Sequence, residues 1–69
     1  MIEIFKTNVK ELSQARELVI LLNRHFPEAR INFDLHDCDK ILRVEGEHFN
    51  LGKIMNLVHQ NGFSCSLLD

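Results

Sequence analysis

The stretch Ile31-Asn32-Phe33-Asp34-Leu35-His36-Asp37-Cys38-Asp39-Lys40-Ile41-Leu42-Arg43-Val44-Glu45-Gly46 decides how the rest of the chain is read. Ile31, Phe33 and Leu35 alternate with Asn32, Asp34 and His36, the period-two pattern of a strand with one buried face. Asp37-Cys38-Asp39 is a polar turn. Leu42 and Val44 then alternate with Arg43 and Glu45 as the second arm of a hairpin, and Gly46 ends it.

Working outward toward the N-terminus, Pro27 stops whatever precedes the hairpin, because a proline pushes its predecessor out of the α region. Before it, Leu12, Ala15, Val19, Leu22 and Phe26 recur at steps of three and four, one apolar helix face that Leu18 widens. Asn8 with Glu11 forms a candidate capping box, and Ser13 is a competing cap. Ile2 and Ile4 alternate with Glu3 and Lys6 as a short first strand. On the C-terminal side, Asn50 caps a second helix with an inner face of Leu51, Ile54, Leu57 and Val58. Gly52 is awkward inside that helix. Asn61-Gly62 supplies its end, and Phe63, Cys65 and Leu67 alternate with Ser64 and Ser66 as the last strand.

The order is β-α-β-β-α-β in one domain, residues 1–69, with no linker or repeat. Right-handed crossovers reduce the topologies to a few, and the split βαβ arrangement is the common one. The expected fold is α+β: a ferredoxin-like βαββαβ sandwich with an antiparallel four-stranded sheet, order 4-1-3-2, and two helices on one face. In that arrangement the first strand-helix loop, the hairpin turn and the second helix-strand loop share one end of the molecule.

Composition narrows the functional classes. With 45% apolar residues, five Phe and no Trp or Tyr, the chain can bury a small core of aliphatic side chains and Phe. A net charge of −2, a pI near 6.0 and no basic run give no electrostatic basis for nucleic acid or an anionic membrane. The longest apolar run, Leu18 to Leu22, is far short of a membrane span. Acidic Glu3 stands where a signal peptide needs positive charge, so the expected location is cytoplasmic, with both thiols reduced.

From Ile31 onward the pattern resembles the heavy-metal-associated domain, the fold of small copper chaperones and of the N-terminal modules of metal-pumping ATPases. The likeness lies in Ile31 to Leu35, Lys40 to Gly46, Ile54 to Val58 and Asn61-Gly62-Phe63, together with length and element order. These are core positions and caps, so the resemblance concerns fold. The family's chemistry lies in a Met-x-Cys-x-x-Cys motif between the first strand and first helix, where two thiolates hold Cu(I). Counting back from Pro27 puts those cysteines at about Leu12 and Ala15, and counting forward puts them nearer Asn8. The whole segment Lys6 to Ala15 contains no Cys, His or Met. The resemblance therefore implies a divergent member without the metal motif.

Two candidate sites remain. Cys38, His36 and His59 fall at or near the loop end where the family binds metal, and Cys with His is a ligand set for Zn or Cu(I). Against this, a β-turn supplies only one soft ligand, and nothing fixes His59 toward it; no metal or other cofactor is expected. Cys38 as a redox site lacks an adjacent Lys, Arg or capped helix to activate it. Cys65 alternates with Phe63 and Leu67 and is expected in the core, so a disulfide with Cys38 is not expected. The second candidate is the water-facing side of the sheet, expected to carry Glu3, Phe5, Asn32, Asp34, Ile41, Arg43, Glu45, Ser64 and Ser66. Phe5, Ile41 and Arg43 there form a candidate surface for another protein or a second copy; simple cross-strand pairing is the plainer account.

No nucleophile-base pair, phosphate loop or placed carboxylate pair is present, so an enzyme is not expected. The arginine-bearing, Gly-rich first loop of acylphosphatase, which shares the element order, is also missing. The expected function is a metal-free interaction or binding module. The alternatives are a soft-metal or thiol protein using Cys38 with His36 or His59, and an ACT-like small-molecule regulatory module, which lacks its Gly-rich loop here.

Overall fold

In the computed structural model, which describes residues 1–68, the elements follow the order β1 (Ile2–Thr7), α1 (Leu12–His25), β2 (Arg30–Asp34), β3 (Ile41–Glu45), α2 (Leu51–Gln60) and β4 (Cys65–Leu67). The protein is α+β, with a four-stranded antiparallel sheet in the order β2-β3-β1-β4. Counted from the β4 edge, the succession is β4-β1-β3-β2. Helix α1 packs along β2, α2 packs along β4, and the helices touch each other, which places both on one face. Among the described residues no helix is long and apolar enough to cross a membrane.

Register decides what the helices cover. Directly opposed residues of antiparallel strands point to the same face. Leu67 opposes Phe5, Phe5 opposes Leu42, and Leu42 opposes Phe33, so one row crosses all four strands beneath the helices. Phe5 and Leu42 are fully buried, as are Val44, Leu22, Ile54 and Val58 from the neighbouring elements. No polar or charged side chain among the described residues is buried.

This register corrects the expected orientation of β1. Phe5 belongs to the core, and Glu3, opposite buried Val44, lies on the same side at its margin. Ile2, Ile4 and Lys6 take the open face with Asn32, Asp34, Ile41, Arg43, Glu45 and Ser66. A shift of one residue in phase inverts every side chain of a strand. The inverted phase is favoured because a Phe at the centre of the sheet removes more apolar surface from water than Ile2 does at the rim.

The caps follow the chemistry of their residues in part. Asn50 accepts from the Lys53 N–H at 3.0 Å and starts α2, leaving Gly52 in its first turn. At its end the N–H of Gly62 reaches the His59 carbonyl at 2.9 Å and that of Phe63 reaches Val58, the paired bonds of a Schellman motif. Gly62 has φ +91°, the left-handed conformation this motif requires. Helix α1 is different. Glu11 stands at its N-cap without a side-chain hydrogen bond, and Asn8 is used elsewhere. Ala15, Leu18 and Leu22 are buried on α1, whereas Leu12 is 59% exposed.

Candidate functional site

The three loops expected at one end do meet there. The Thr7 N–H donates to the Asp39 carbonyl at 3.0 Å, and its hydroxyl donates to the Lys40 carbonyl at 2.6 Å, tying β1 to the hairpin turn. Asn8 Oδ1 accepts from the Ser64 N–H at 2.8 Å, tying the same loop to the segment before β4. Between these anchors Val9 is fully buried in a cluster with Ala15 and Leu18, against which Leu35 and Phe63 pack. This loop is where the resembling family carries its thiolates. Here it is closed by an apolar plug and two hydrogen-bonded ties. The sequence does not mark Val9 as core, because one apolar residue among Thr7, Asn8, Lys10 and Glu11 has no periodicity.

Cys38 is exposed on the hairpin turn. Among the described residues, the one group of three ligand-type side chains with donor atoms within 4.8 Å of one another is Asp37, Cys38 and Asp39. His36 and His59 are not part of it. Asp37 Oδ1 accepts from the Asp39 N–H at 2.8 Å, so its carboxylate shapes the turn. His59 is also committed: its Nε2–H donates to the Cys65 carbonyl at 3.1 Å. Cys65 is buried, and burial pushes its thiol from 9.0 up to about 11, which makes it a poor nucleophile and a poor ligand at neutral pH. The set Cys38, His36 and His59 is thus not assembled.

The proposed partner surface of Phe5, Ile41 and Arg43 is corrected too, since Phe5 is wholly buried on the other side of the sheet. Arg43 sits between Ile4 and Asn32 in its row and meets Glu45 at 3.5 Å, an exposed pair of small energetic weight. Ile41 remains on the open face, half-buried, accompanied by Ile4 and exposed Ile2.

Two concavities differ in character. A cleft of about 220 Å³ at the end away from Cys38 lies between the α1–β2 turn and the β3–α2 loop. It is lined by His25, Glu28, Glu47 and His48 beside Phe26. Among the described residues no three ligand-type donor atoms converge there. A larger groove, about 430 Å³, runs between α1 and β2, lined by Leu12, Ala15, Val19, Ile20, Ile31 and Phe33 with Arg16 and Asn32. Leu12 and Ile20 stand 59% and 55% exposed along it. Sequence periodicity misses this feature because the spacing places Leu12 on the core face and gives Ile20 no face. β2 is an edge strand, so its outer backbone groups lie beside this apolar groove. The opposite edge is guarded differently. β4 is only three residues long, and His59 occupies its Cys65 carbonyl.

No protein-family model matches the chain, and neither the curated proteins nor the solved structures provide a match.

Proposed function

We propose that this chain is a ferredoxin-like, metal-free relative of the heavy-metal-associated domain that acts in the cytoplasm as a protein-interaction module, without catalysis. The observation that carries the reading is the uncovered edge of β2 beside an open apolar groove with exposed Leu12 and Ile20. Extended segments bind such edges through main-chain hydrogen bonds, and adjacent apolar pockets supply specificity. The metal-free part rests on the absence of Cys, His and Met from Lys6 to Ala15 and on Val9 filling that loop. The element order and strand order support the fold assignment.

The test is a paired variant, Leu12→Glu with Ile20→Glu, compared with the parent chain. Both residues are exposed, so the variant is expected to fold and to lose the partner that the parent binds. Retention of that partner at parental affinity contradicts the reading. Titration with Zn(II) and Cu(I) tests the other half. Resonances of Cys38, His36 and His59 are expected to stay in place at stoichiometric metal, and a saturable shift confined to them would restore a metal function.

A further inference from the structure

The free edge of β2 has a defined hydrogen-bond phase. The Gly46 N–H donates to the Met1 carbonyl at 2.9 Å, and the Leu68 N–H donates to the Ile4 carbonyl at 2.9 Å. With Ile2 opposite Glu45 and Phe5 opposite Leu67, these bonds direct the odd-numbered residues of β1 to β3 and the even-numbered ones to β4. On β3, Leu42 and Val44 therefore bond β1, and Ile41, Arg43 and Glu45 bond β2. β2 in turn directs Arg30, Asn32 and Asp34 toward β3. The N–H and C=O groups of Ile31 and Phe33 are left pointing out of the sheet. The open stretch is bounded, since the Ala29 N–H donates to the Phe26 carbonyl at 3.1 Å and the Leu35 carbonyl accepts from Lys40 Nζ at 2.9 Å.

The sequence of this edge, Arg30-Ile31-Asn32-Phe33-Asp34, is complementary to itself when reversed. Placed antiparallel about Asn32, Arg30 of one copy faces Asp34 of the other, twice over, on the open face. Ile31 faces Phe33, twice over, on the helix face, and these two residues carry the outward backbone groups. An aromatic residue opposite a β-branched one and an acid opposite a base are favourable cross-strand pairs. Leu12 and Ile20 flank the Ile31 and Phe33 side of the strand.

We propose that β2 pairs antiparallel with β2 of a second copy of this chain, with the two-fold axis at Asn32, joining the two sheets into one. The occupant is identified by charge complementarity and by hydrogen-bond phase together. A strand of one charge sign, or with its apolar residues out of step with its outward backbone groups, has no such self-match. Pairing also removes an uncovered edge, which a lone protomer leaves available for indiscriminate association. Arg16, midway between Leu12 and Ile20, is carried toward its own copy and opposes the association, which keeps it reversible. The inference rests on the interaction-module reading and names the partner for that surface.

Sedimentation of Arg30→Asp, Asp34→Arg and the doubly exchanged chain, from micromolar to millimolar concentration, tests it. The parent is expected to form a dimer that weakens at high salt. Each single variant places like charges opposite each other in its own dimer and is expected to weaken self-association roughly tenfold to a hundredfold. Mixing the two single variants restores both opposite-charge pairs, so the mixture is expected to dimerise where neither component does. The doubly exchanged chain is expected to dimerise like the parent, which covers the case in which a single variant folds poorly. A parent that stays monomeric at millimolar concentration, or a mixture no more associated than its components, overturns the proposal. Loss of an external partner on Leu12→Glu with Ile20→Glu would still uphold the interaction reading in that event.

Discussion

Phe5 lies directly opposite Leu42 in the β1–β3 ladder, and both side chains are completely buried beneath the two helices. This pair sets the phase of β1 and hence the identity of both sheet faces. A domain of 69 residues has a total stability of only roughly 3–10 kcal/mol. Phe5→Ala is expected to cost about 3–5 kcal/mol, enough to leave the chain largely unfolded. Ile2→Ala, at a half-exposed position on the open face, is expected to cost less than about 1 kcal/mol. Urea denaturation of the two variants checks the contrast, and similar losses would place Phe5 outside the core.

The ties at the loop end make a second expectation. Asn8→Ala removes the acceptor for the Ser64 N–H and is expected to cost about 1 kcal/mol. Val9→Ser replaces a fully buried apolar side chain with a hydroxyl that has no assigned partner, and a larger loss of about 2 kcal/mol is expected. Denaturation midpoints of the two variants give the order directly. A Val9→Ser midpoint equal to the parent's would mean that the loop is open in solution.

Lys40 has φ +46° in the hairpin turn, a conformation that costs a residue with a Cβ about 1–2 kcal/mol. Both Lys40→Ala and Lys40→Gly lose the Nζ bond to the Leu35 carbonyl. The glycine variant is therefore expected to be the more stable of the two by about 1 kcal/mol, the reverse of the usual Ala over Gly order. Thermal unfolding of the pair measures it.

The two cysteines are expected to respond differently to alkylation and to pH. Cys38 is exposed and Cys65 is 5% exposed, so at neutral pH a thiol reagent should modify Cys38 alone in the folded protein. Burial raises the Cys65 pKa from 9.0 to about 11, so the folded state holds its proton where the unfolded state has released it. The stabilisation tied to this proton is complete below pH 9 and is lost as pH rises from about 9 to about 11. It amounts to something on the order of 2 kcal/mol. The chain has no Tyr, so in a Cys38→Ser background ultraviolet absorbance follows the Cys65 thiolate without a contribution from tyrosinate or from the second thiol. Cys65→Ala is expected to flatten the alkaline limb of the stability profile, and an unchanged limb would remove Cys65 as its cause.

Element identity and order were legible in the sequence because the hairpin alternation from Ile31 to Glu45, the helix periodicities and the stops at Pro27 and Gly62 all point to the same series. The β1 phase was not legible. Ile2, Ile4 and Phe5 satisfy two alternations equally well, and only pairing with Leu42 and Leu67 chooses between them. The proposed interaction surface was hidden for a related reason. Leu12 fits the α1 core stripe by spacing, yet it lies at the first turn, ahead of the packed stretch, and stays in solvent. Asn8 is a good helix cap by type, but here its oxygen is taken by Ser64, 56 residues away along the chain. The self-complementarity of Arg30 to Asp34 was visible as letters, but its meaning required β2 to be an edge with Ile31 and Phe33 bonding outward.

Amide hydrogen exchange at Ile31 and Phe33, followed against protein concentration, tests whether the β2 edge is the working surface of this protein. Both amides are expected to exchange quickly in dilute solution and to become protected as the edges pair, while Leu42 and Val44 stay protected throughout. Exchange at Ile31 and Phe33 that remains fast up to millimolar concentration contradicts pairing of this edge with a second copy.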